Sequence, residues 1–229
     1  MSAPAPFRAR FDALVAALRA HPQVEIYQAI VNPPASEEAI RAAEATIGCA
    51  IPADLREFYR GQDGVFLEWG LRGRDYRRTA PFEHPDYGQP PGCINLLSVA
   101  AAISPAWQAD FHVNEIDGEH QKLLFGAALD PAPTVGAVCV DNFSKYNHGD
   151  LVLGPDPVMV VSTDHGADMD SSDWCSFSTY LELTFAIHGL NRYSYGLGIG
   201  WSRAPRRVDA WSDRPTLDEL LMRVAANED

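Results

Sequence analysis

The sequence predicts an α+β fold in which a mostly antiparallel sheet packs against helices, with helical extensions at both ends. Three observations predict it. Apolar, strand-like runs follow one another through the middle of the chain with no regular alternation of strand and helix, so an antiparallel meander fits better than a parallel, doubly wound sheet. Two helices with complete start and stop signals sit side by side at 36–64. Both termini carry apolar residues at helical spacing.

The elements follow in order. Phe7, Phe11, Leu14, Val15 and Leu18 share one helical face. Arg8, Asp12 and Arg19 interrupt the apolar run, which is therefore no secretory leader. The reading is an amphipathic helix packed on the domain; a partner helix or a membrane surface is the other use of such a face. Residues 24–31 alternate as a strand, broken by Asn32-Pro33-Pro34. Ser36 then caps a helix with Glu37 and Glu38 in its positive first turn and Ile40, Ala43 and Ile47 on one face, and Gly48 ends it. Pro52 opens the next helix, whose stripe is Leu55, Phe58 and Tyr59 and whose end is marked by Gly61 and Gly64. Residues 65–71 form a strand, 73–92 a long surface loop rich in Pro and Arg, and 94–97 a core strand. Ser98 caps a short helix at 99–103. Strands are expected at 123–129 and 137–143, then a hairpin within 143–156 turning at Asn147, Gly149 and Gly154, with 158–161 as the next strand. Ser178 is expected to cap a helix over 179–188, with Phe177 as its staple and Gly189 as its stop. Thr216 and Glu219 make a capping box for a last helix bearing Leu217, Leu220, Leu221 and Val224.

Composition narrows the function. The chain has 229 residues, 46% hydrophobic, enough for one sizeable core, and no apolar run approaches the ~20 residues of a membrane helix. Cys49, Cys93, Cys139 and Cys175 are widely separated and show no zinc-ligand spacing with a nearby His, which suggests reduced structural thiols and a cytoplasmic protein. No Walker loop, His-Glu-x-x-His or Gly-x-Ser-x-Gly motif is present, and the alternating glycines of 195–201 do not fit a dinucleotide fingerprint. No cofactor and no resident metal are expected.

Charge is the second strong signal. Of the formal −13, a balance of −11 lies between residues 110 and 182, where thirteen Asp and Glu meet only Lys122 and Lys145. Such a surface repels nucleic acid and attracts a basic protein. Asp164, His165, Asp168, Asp170 and Asp173 form its densest stretch, but they lack the alternation, internal Gly and distal Glu of a calcium loop. A second polar group, His112, Glu115 and His120 around Asp117-Gly118, reads as a surface turn. Trp174 stands next to Asp173, where an aromatic side chain would anchor a partner at the rim of an acidic patch. The expected contact set, inferred from charge, is Asp150, Asp164, Asp168, Asp170, Asp173 and Trp174.

The block from Ser36 to Gly64 also resembles a known family. Ile40 and Glu44, Gly48, Ile51-Pro52, Asp54-Leu55, Phe58-Tyr59 and Asp63-Gly64 look like the opening of the SUKH superfamily, whose better-known members are cell-wall assembly regulators in fungi and immunity proteins in bacteria. Ile94 to Leu97 resembles the family's first sheet strand, Phe143 with Gly149-Asp150 its next strand pair, and Ser176-Phe177 the entry to its late helix. The family's usual Asn-Gly-Gly stands here as Gln62-Asp63-Gly64. The resemblance implies a SUKH-like domain at 33–188, preceded by a helix and strand at 1–32 and followed by an extension at 189–229. Together with the acidic charge and the lack of a membrane-length apolar run, it leads to the expectation of a non-enzymatic protein, monomeric or homodimeric, that binds neither nucleic acid nor membrane. The leading expectation is a cytoplasmic immunity protein that neutralises a cognate toxin, a nuclease or other basic-cleft enzyme, by occluding its active site. A regulatory scaffold assembling cell-wall or signalling proteins is the alternative, and a metal-dependent hydrolase built on 164–173 is a third reading.

Overall fold

A computed structural model describes residues 7–103, 137–145, 147–153, 158–163, 174–191 and 215–228. The chain runs α1 (Phe7–Ala20), β1 (Val24–Val31), α2 (Glu37–Ile47), α3 (Ala53–Gly61), β2 (Val65–Leu71), β3 (Gly92–Leu96), α4 (Val99–Ala102), β4 (Ala137–Asp141), β5 (Asn147–Val152), β6 (Val158–Thr163), β7 (Trp174–Cys175), α5 (Phe177–Ala186) and α6 (Leu217–Glu228). The seven strands form one sheet in chain order, each antiparallel to the next. This is the predicted α+β meander.

Helices cover one face because their apolar stripes have no other partner. α1 buries Phe11, Leu14, Val15 and Leu18 in the same core as Leu55, Phe58 and Tyr59 of α3 and Phe177, Tyr180 and Leu181 of α5. Burial of each large aliphatic or aromatic side chain stabilises the fold by about 1.5–3 kcal/mol relative to exposure. Phe7 meets Phe58 edge to face at 4.9 Å and Phe185 at 5.4 Å, and Arg10 reaches Glu182 at 2.5 Å. The apolar face of α1 is thus used inside the molecule. At the other end, Leu220, Leu221 and Val224 of α6 join the same core, and His21 beyond α1 bonds Asp218 at 2.8 Å.

The hinge between α2 and α3 forms as its residues dictate. Ser36 accepts the Ala39 N–H at 3.1 Å, and Gly48 closes α2 in the left-handed region at φ 74°. Pro52 occupies the cap position, one residue before the first helical residue of α3. Glu44 binds the Ile51 N–H at 3.0 Å and pairs with Arg56, and Glu37 pairs with Arg60 at 2.6 Å. Beyond α3, Gln62 donates to the Phe58 carbonyl at 2.9 Å and Asp63 accepts the Val99 N–H at 2.7 Å. Gln62 and Asp63, which stand where the resembled pattern has Asn-Gly, thus each anchor a backbone group. Gly64 has φ 103°, and a Cβ there would sit 3.0 Å from the Leu96 carbonyl.

Three local expectations change. Ser176, not Ser178, caps α5: its hydroxyl accepts the Thr179 N–H at 3.1 Å, while the Ser178 N–H is taken by Asp54 at 2.8 Å. The 143–156 stretch is no simple turn, because Asn147 and Gly149 lie within β5 and pair with β6. Gly149 is there for closeness, since a Cβ would meet the Tyr180 hydroxyl at 2.5 Å. The 73–92 loop folds over the sheet's second face: Thr79 N–H bonds Glu68 at 2.9 Å, Phe82 packs on Phe66 at 6.0 Å, and Arg78 lies over the Tyr27 ring at 3.0 Å. The strand expected at 123–129 lies outside the described residues.

Candidate functional site

Asp150 is not a surface residue. It lies in β5, fully buried, with both carboxylate oxygens 2.8 Å from Nδ1 of His148. Two residues apart on a strand, the side chains share one face of the sheet, so the pair is local and turned inward. A carboxylate with this partner and no exposure offers nothing to a docking protein, and Asp150 leaves the contact set. Asp164, Asp168, Asp170 and Asp173 lie outside the described residues. Trp174 opens the short edge strand β7, its backbone paired with Val160.

Across β3, β4 and β5 the structure brings together polar groups that sequence spacing keeps apart. Asp141 is fully buried and accepts the Asn95 N–H at 2.8 Å and the Tyr180 O–H at 2.7 Å. Its side chain stands in for a backbone acceptor where the β3–β4 ladder is narrow, with Leu96 and Asp141 as the register pair. The Asn95 amide donates to the carbonyls of Glu83 and Asn142 at 2.8 and 2.9 Å, tying the covering loop to the end of β4. Pairing is what makes buried polar groups tolerable, although Asn95 Oδ1 and Asn142 Nδ2 lack a hydrogen-bond partner among the described residues.

Beside this seam, Cys139 of β4 is the register partner of Asp150. Cys139, His148 and Asp150 each offer one ligand atom, and the three atoms lie within 4.8 Å of one another. The three residues are 5%, 1% and 0% exposed. The order Cys, His, Asp invites comparison with a nucleophile, its base and an orienting acid. Burial, then the charges of Asp150 and Asp141, push the Cys139 thiol well above its ordinary range. A buried neutral thiol without substrate access is no nucleophile. The sequence signal for this group was His148-Gly149-Asp150 on a strand, but Cys139 joins it only through a cross-strand register that carries a bulge between Cys139 and Asp141.

The described surface offers one candidate of another kind. Tyr87, 60% exposed, borders a pocket of about 210 Å³ with Asp86, Gln89, Pro90 and Lys145. Arg77 pairs with Asp86 at 2.7 Å, and Lys145 lies 5.8 Å from the Tyr87 ring. Gln89 bridges the Phe143 carbonyl and the Lys145 N–H at 2.8 and 3.1 Å, so the rim is fixed to the β4–β5 turn. An exposed Tyr beside mixed charge suits contact with a protein. Sequence reasoning passed over it because it sits in a loop with no periodicity.

Residues 34–121 match the family model of the SMI1 / KNR4 family (SUKH-1). No curated protein matches the chain.

Proposed function

Because this chain carries a domain of the SUKH superfamily at residues 34–121, we propose that it acts by binding another protein, as an immunity protein that neutralises a cognate toxin by covering its active site. The family supports a non-enzymatic immunity or regulatory role in general terms. The observation that carries the finer reading is the charge of 110–182, a balance of −11 in about a third of the chain. A nuclease toxin needs a basic cleft to hold phosphates, and an acidic inhibitor steers into such a cleft and competes with its substrate. Asp141 and Asp150 are buried and contribute nothing to that field at contact range. The contact set is therefore Asp164, Asp168, Asp170, Asp173 and Trp174.

The scaffold alternative would assemble its partners through the N-terminal helix and the sheet, and the apolar face of α1 is already buried against α3 and α5. Among the described residues, no helix is long and apolar enough to cross a membrane. The test is co-expression with a toxin domain encoded beside this chain, reading growth, followed by binding kinetics on the purified pair. Asn at positions 164, 168, 170 and 173 should lower the association rate and flatten its salt dependence. Unchanged affinity and salt dependence would remove the acidic face from the reading, and a lack of growth rescue would remove the immunity role.

A further inference from the structure

We propose that Cys139, His148 and Asp150 form a binding site for a single zinc ion that clips β4 to β5. The inference is independent of the toxin-binding reading. It starts from placement. Cys139 and Asp150 face each other across the ladder, His148 is two residues before Asp150 on the same face, and the three ligand atoms fall within 4.8 Å of one another. One thiol, one imidazole and one carboxylate is a zinc-type donor set, whereas calcium and magnesium require six or more oxygen donors that this group lacks.

The geometry needs an adjustment of up to about an ångström, because donor atoms that lie within 4.8 Å of one another must reach tetrahedral spacing. Donors at 2.0–2.3 Å around a tetrahedral zinc lie about 3.3–3.6 Å apart. The His148 Nδ1 contacts to Asp150, now 2.8 Å, would open by about half an ångström as the ion takes the place of the proton they share. The remaining tetrahedral position is left for water. On binding, the thiol and the imidazole give up one proton each to solvent and the dication replaces those two charges, so the net charge buried in the group does not change. The rigid frame favours this. Cys139 packs with Leu97 and Ala102, and β5 is held on both sides by β4 and β6.

Other chemistries fit the same atoms less well. A disulfide needs a second thiol, and the described cysteines are all free. Nucleophilic catalysis needs access, and the three residues are buried.

The experiment uses the untagged, full-length chain, stripped of metal under reducing conditions and titrated with Co²⁺ as a spectroscopic stand-in. One Co²⁺ per chain is expected, with visible d–d bands and a near-ultraviolet thiolate-to-cobalt band, all displaced by Zn²⁺. Zinc should also raise the melting temperature, since binding to the native state alone stabilises it. Cys139→Ser should abolish the thiolate band and weaken binding by at least about a hundredfold, more than the loss of an outer-shell partner produces. Cys175→Ser, which changes a buried thiol outside the group, should leave the band intact. X-ray absorption of the zinc-loaded wild type gives a reading that depends on no variant, and one sulfur with the remaining donors nitrogen or oxygen is expected. No cobalt uptake, a band that survives Cys139→Ser, or a zinc shell with zero or several sulfurs would each overturn the site.

Discussion

The α2–α3 hinge and the β3–β4–β5 seam are both held by polar side chains, yet they place them in opposite environments. In the hinge, Glu37 meets Arg60 and Ser36 caps its helix where water reaches both groups. In the seam, Asp141, Asn95, His148 and Asp150 are buried, and partners come from as far as 47 residues away. Exposed ion pairs trade one polar environment for another and contribute little. Buried groups have no such exchange to fall back on, so the loss of one leaves its partner unpaired. The hinge should therefore tolerate substitution, and the seam should not.

Asp141→Ala is the largest break this comparison offers. It removes the acceptor of both the Asn95 N–H and the Tyr180 O–H. Two buried donors lose their partner, at about 1–3 kcal/mol each, so the variant should lose about 2–6 kcal/mol in urea unfolding. A loss below 1 kcal/mol would mean that water reaches the seam and that the contrast drawn above is wrong.

Ser36→Ala tests the other side. An N-cap of this kind is worth about 1 kcal/mol, and the change should lower the urea midpoint slightly without altering the slope. If it matched Asp141→Ala, the hinge would be as critical as the seam.

The same contrast explains what could be read beforehand. Ser36, Gly48 and the Thr216–Glu219 box act over three or four residues along one helix, so spacing along the chain carries their geometry. Glu219 indeed takes the Thr216 N–H at 2.7 Å. The α5 cap was misplaced by two residues because Ser176 and Ser178 are equally good caps in isolation, and Asp54 of α3 settles which one acts. Asp150 was placed in the contact set from charge, which does not tell an inward carboxylate from an outward one. Its burial depends on what covers that face of the sheet, where its register partner Cys139 packs with Leu97 and Ala102, and no local pattern states this. Cys139 joins His148 and Asp150 through a register with a bulge in it, and a bulge is a one-residue slip that spacing cannot reveal. The charge of 110–182 was plain as composition, but composition does not say which carboxylates face inward.

The smallest expected effect lies between the two regions, at Glu68 on β2. This residue is fully buried, with one oxygen accepting the Thr79 N–H and the other without a partner among the described residues. Burial raises its carboxyl above the ordinary value, while the Thr79 bonds and the nearby Arg78 charge pull the other way. The offset keeps the effect modest. The sign is definite: a raised folded-state value means that the native protein holds this proton more tightly than the unfolded chain. The stability it contributes is fully present below the unfolded value of about 4.5 and is lost as pH rises through the folded one. Glu68→Gln removes the titration and keeps an oxygen for Thr79. The melting temperature of the variant should gain on that of wild type as pH rises from 4.5 towards neutrality, and a difference that stays flat across that range would show that Glu68 is solvated after all.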